Sequence, residues 1–171
     1  DLERGARVGD VETVNGGIEA ADDVGARSVS TVNGAIRFGK QARIDGDVET
    51  VNGGIFIDRG GNVRDDVSTV NGAIGLVDTD LGGGIETVNG DVTVGVGSHV
   101  KGGIHVEKPS GNGMQWGKQR IPRIVIGPNA VVDGPLVFER DVVLYVHNTA
   151  RTGSVRGATP TSYSTATPPQ D

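Results

Sequence analysis

One octet, recurring five times at a nearly constant interval, constrains this chain more than any other feature. VETVNGGI starts at Val11, VSTVNGAI at Val29, VETVNGGI at Val48, VSTVNGAI at Val67 and IETVNGDV at Ile85. The successive spacings are 18, 19, 19 and 18. That period is too short for a helix-turn-helix repeat or a propeller blade. It fits one coil of a β-solenoid. Three short sides of about six residues close a lap, and successive laps stack about 4.8 Å apart as parallel strands. One lap cannot bury its own apolar face, whereas a stack of laps can.

Composition agrees. Of 171 residues, 29 are glycine, and Val and Ile number 26 and 11 against 5 Leu. Side chains branched at Cβ are stiff at χ1 and suit a pleated surface, so the bias favours strands. The glycines do not fall at every third position, which excludes collagen, and a glycine load this high excludes a helical bundle.

The repeat resolves into columns. Val11, Val29, Val48, Val67 and Ile85 open the octets; Ile18, Ile36, Ile55, Ile74 and Val92 close them; Ala20, Phe38, Ile57, Leu76 and Val94 follow two positions later. A third side carries Ala26, Ile44, Val63, Leu81 and Val100. These apolar columns are expected to stack as the core. Asn15, Asn33, Asn52, Asn71 and Asn89 form a corner column whose side-chain amides can hydrogen-bond from lap to lap. Each is followed by glycine (Gly16, Gly34, Gly53, Gly72, Gly90), which Asn-Gly turn chemistry assigns to positive φ. The second octet position alternates Glu12, Ser30, Glu49, Ser68, Glu86, keeping carboxylates two laps apart. A bend near the Thr13, Thr31, Thr50, Thr69, Thr87 column would bury Val14, Val32, Val51, Val70 and Val88, and that burial is expected; strict alternation would instead leave an exposed apolar stripe.

The pattern starts in mid-lap, is interrupted at residues 107–122, and resumes at 123–157, giving seven to eight laps and a rod roughly 30–40 Å long. Residues 1–157 are read as one solenoid domain. Residues 158–171, ATPTSYSTATPPQD, read as a Ser/Thr/Pro-rich tail, disordered or laid along the rod.

The TVNG-GI and TVNG-AI octets resemble the glycine-rich repeats of bacterial β-solenoid adhesins of the head-domain type. The segment IVIGPNAVVDGPLVFE, residues 124–139, resembles the laps of bactofilins, the bacterial polymer-forming proteins. The resemblance implies a three-sided parallel β-helix, a structural or surface role without catalysis, and, from the bactofilin side, end-to-end polymerisation. A right-handed coil follows the general preference of parallel crossovers.

Net charge is −6, and residues 1–106 carry 17 acidic against 9 basic side chains, which argues against nucleic-acid binding. No apolar run approaches the ~20 residues of a membrane span. The chain begins at Asp1 without a visible leader and reads as a processed piece. Export to a bacterial periplasm or cell surface is the expectation, with a cytoplasmic location as the alternative.

No nucleophile constellation, metal set or cofactor motif stands out. His105 or His147 could serve as the general base of a hexapeptide-type acyltransferase, the first alternative function. Acidic pairs such as Asp22 and Asp23, Asp45 and Asp47, or Asp65 and Asp66 read as solvated corners in preference to a Ca²⁺ ridge. The insertion holds the only tryptophan, and Trp116 with Lys118 and Arg120 could stack on and charge-pair with a glycan, the second alternative. Partners are otherwise expected as protein or glycan at the surface, or as copies of the chain meeting at the solenoid ends.

Overall fold

The computed structural model describes residues 1–111 and 120–170. Among them there is no helix; twenty-three strands build three parallel sheets wound as a solenoid of about eight turns. The octet face has eight strands, from Val11–Asn15 to Val155–Arg156. The second face has eight, from Ile18–Ala20 to Thr161–Tyr163. The third has seven short ones, from Gly25–Ala26 to Arg151–Thr152. Pairing is in register with the repeat: Val11 on Val29 on Val48 on Val67 on Ile85. The first coil starts in mid-lap, with Leu2 bridging Ala20 and Arg7 bridging Gly25.

The core is the set of expected columns. Ile36, Ile55, Ile74 and Val92, Phe38, Ile57, Leu76 and Val94, and Ile44, Val63, Leu81 and Val100 are all buried. Leu and aromatic residues are scarce because the interior of a three-sided coil is narrow: inward side chains from three sides fill it.

Two expectations are corrected. The octet strand does not bend at Thr; alternation holds through the fourth position, and the turn comes only at Asn-Gly. Thr31, Thr50, Thr69 and Thr87 are therefore buried, while Val14, Val32, Val51 and Val70 are exposed. A buried hydroxyl without a partner would cost ~1–3 kcal/mol. Here the hydroxyls of Thr31, Thr50 and Thr69 donate to the carbonyls of Gly16, Gly34 and Gly53 at 3.0–3.1 Å. The corner below each threonine supplies the acceptor that lets it turn inward.

The second correction concerns the corner glycines. Only Gly16 has positive φ, +138°. Gly34, Gly53, Gly72 and Gly90 are required by close approach: a Cβ there would lie 2.1, 1.9, 1.9 and 1.8 Å from the carbonyl oxygen of the preceding corner glycine. Apart from Gly157 in the last lap (φ +85°), left-handed backbone belongs to a different corner, between the second and third faces, where Gly5, Asp23, Gln41, Gly60, Asp78, Gly97 and Asn129 have φ from +43° to +75°.

The segment after residue 157 continues the coil. Thr161–Tyr163 pairs with Val143–His147, and Tyr163 is buried with its ring edge-on to His147 at 4.9 Å. Farther along, the Arg123 guanidinium donates to the Pro169 carbonyl, so the last residues lie back along the second face.

Candidate interaction face

The side chains that leave the octet strands form three parallel ranks. The Asn rank is a continuous amide ladder: Asn33 Nδ2 donates to Asn15 Oδ1 at 3.0 Å, Asn52 to Asn33 at 3.0 Å, Asn71 to Asn52 at 2.9 Å and Asn89 to Asn71 at 3.0 Å. The ladder stops where the repeat stops. In the sixth lap the Asn-Gly corner is replaced by the insertion between Ile104–Val106 and Arg123–Ile126. Arg140, from the seventh lap, reaches back across that gap. Its guanidinium donates to Asn89 Oδ1 at 2.6 Å, to the Val88 carbonyl at 2.9 Å and to the Arg120 carbonyl at 3.1 Å. A cation thus closes the carbonyl end of a column of aligned amides.

Both stems of the insertion are tied to carboxylates. Glu139 accepts from His105 Nε2 at 2.9 Å and from the Lys108 amide at 3.3 Å. The His105 hydrogen bond, with help from Lys108, holds the Glu139 carboxyl below its usual range. Asp91 accepts from the Arg120 guanidinium and, at 2.9 Å, from the Arg123 amide. Asp91 stands where earlier octets carry Gly17, Ala35, Gly54 and Ala73. Its departure from the pattern anchors the loop that departs from the pattern.

Of the residues singled out for glycan binding, Trp116 and Lys118 lie outside the described residues. Arg120 pairs with Asp91 through its guanidinium, and its side chain remains largely exposed. His147 is buried, and its Nδ1 meets Thr149 Oγ1 at 2.8 Å. The corner carboxylates receive backbone amides from the next lap: Asp22 from Lys40, Asp47 from Asp66, Asp66 from Gly84, at 2.6–3.0 Å. No three His, Asp or Glu side chains converge as a metal set among the described residues.

The remaining two ranks face solvent. Val14 is 62% exposed, and Val32, Val51 and Val70 are 38–40% exposed. Beside them run Glu12, Ser30, Glu49 and Ser68, paired in register. Together they line a shallow groove of about 700 Å³ along the first four laps. The valine stripe is the surface feature that the expected burial concealed; the alternation of the strand carried the signal. No helix of the described residues is long and apolar enough to cross a membrane. Comparison with protein-family models, curated proteins and solved structures finds no match to this chain.

Proposed function

We propose that this chain is a non-catalytic structural and interaction module, an adhesin-like or polymer-forming solenoid of a bacterial cell envelope, exported to the periplasm or cell surface. The observation that carries the reading is the continuous stack of about eight laps, a rod whose first five laps carry the same outward Asn rank at every step. Stacked laps transmit load through backbone hydrogen bonds and side-chain ladders together. The octet resemblance supports the envelope role. The open strand Val11–Asn15 offers unpaired backbone groups to a further lap or a second copy.

Sedimentation of the purified chain with isolated bacterial envelopes tests this reading, alongside a melting curve taken with coenzyme A. Co-sedimentation and an unchanged melting temperature are expected. A saturable rise with coenzyme A and no sedimentation would move the chain to the acyltransferase class.

A further inference from the structure

The groove on the octet face has the attributes of half an interface. Its valines repeat at strand spacing, about 4.8 Å. Glu12, Ser30, Glu49 and Ser68 make no side-chain hydrogen bond or ion pair within the described residues. An apolar stripe with that period is matched best by another surface of the same period, as in the dry interfaces between stacked sheets. All three faces share this period, but the second face turns Glu19, Arg37, Phe56, Gly75 and Thr93 outward and the third Arg43, Asn62, Asp80 and His99, so the octet face is the one that offers an apolar stripe to match.

We propose that two copies of the chain pair through the octet face of their first four laps, as an antiparallel dimer with a two-fold axis crossing the rod between the second and third laps. This goes beyond the envelope reading and does not depend on it. The axis sets Val14 against Val70 of the other copy and Val32 against Val51. It also sets Glu12 against Ser68 and Glu49 against Ser30. Every carboxylate then faces a hydroxyl that donates to it, and every contact occurs twice, as a closed two-fold interface requires.

The Glu/Ser alternation selects this register. A slip by one lap would bring Glu12 opposite Glu86 and Glu49 opposite Glu49, and like charges directly opposed are destabilising. Parallel rods facing each other would instead press the carboxylate rank onto the valine rank. The stripe ends where the pairing ends: Val88 is half-buried, and the corresponding position of the sixth lap is Glu107. Four laps of about 4.8 Å by five residues of about 3.3 Å give a footprint near 300 Å² per copy. That is below the ~800 Å² per partner of a standard stable complex, so the dimer is weak and forms at high local concentration.

The test is sedimentation velocity of the full chain across a wide concentration range, with variants that keep their far-UV spectrum and melting temperature. Wild type moves from monomer to dimer as concentration rises. Ser68→Glu raises the dissociation constant at least tenfold, and adding Glu12→Lys to it restores association. Positions 12 and 68 are three laps apart within one chain, so that rescue reports contact between chains in the stated register. The chain has no cysteine, so a mixture of Val14→Cys and Val70→Cys chains gives an independent readout under mild oxidation. The 14–70 heterodisulfide should predominate over both homodisulfides. A monomer at every concentration, a Ser68→Glu variant that dimerises like wild type, or predominance of 14–14 links would overturn the proposal.

Discussion

Gln41 is the one residue of its column without glycine, aspartate or asparagine chemistry, yet it adopts φ +58°. A left-handed conformation costs an ordinary L-residue about 1–2 kcal/mol. Gln41→Gly removes that strain while adding freedom to the unfolded chain, so a net gain of roughly 0.5–1 kcal/mol is expected in urea denaturation. Gly53 makes the opposite case. Its Cβ would sit 1.9 Å from the Gly34 carbonyl oxygen, and backbone cannot yield cheaply. Gly53→Ala should therefore cost about 3 kcal/mol, read as a lower urea midpoint, although φ there is not in the left-handed region. The Asn-Gly dipeptide was legible as a corner, but for the wrong reason. The sequence shows that a side chain is absent, not whether φ or a neighbouring lap forbids it. The left-handed corner was illegible because its residues, Gly5, Asp23, Gln41, Gly60, Asp78, Gly97 and Asn129, share a backbone conformation and no common side chain.

At the level of strands and their connections, the insertion is held by residues that break the repeat. Asp91 replaces Gly or Ala, and Arg140 lies in a lap with no Asn-Gly corner. Arg140→Ala leaves Asn89 Oδ1 and two carbonyls without their donor, and a loss of about 1–3 kcal/mol follows in thermal or chemical denaturation. Glu139 gives a pH dependence. Its folded carboxyl titrates below the ordinary range because His105 and the Lys108 amide bond the charged form. Its contribution is thus fully present above the ordinary carboxylate range and is lost as pH falls through the lowered value. Hydrogen exchange at the Lys108 amide, corrected for the intrinsic pH effect, should quicken over that acidic window; unchanged protection would contradict the assignment. The insertion's position was legible as an interruption of the octets. Its anchors were not, because Glu139 and Arg140 stand a whole lap beyond it in sequence and become its neighbours only once the seventh lap is stacked.

For the whole molecule, the period carried nearly all the information. Identical octets at so short and constant a spacing leave one economical arrangement, in which each recurrence is a lap and each column a rank. The four apolar ranks, the Asn ladder and the lap count were therefore legible in the sequence. The direction of the Thr and Val ranks was not, because periodicity alone could not tell where the strand bends. That choice depended on an acceptor for the buried hydroxyl, which exists only between laps. The final turn was hidden for a different reason: ATPTSYSTATPPQD has a disordered composition, and only the packing of Tyr163 on His147 makes it a closing strand.

Pulsed electron–electron distance measurement down the second octet rank tests the lap assignment most directly. Spin labels at position 12 and, in turn, at positions 86, 105, 137 and 156 are four, five, six and seven laps apart. The mean distances should climb by about 4.8 Å per step, from roughly 19 Å to roughly 34 Å. The step from 105 to 137 crosses the whole insertion, yet it should add no more than the step from 86 to 105, which crosses none of it. Distances that follow residue number instead of lap number, or that fold back as in a meander of hairpins, would contradict the account.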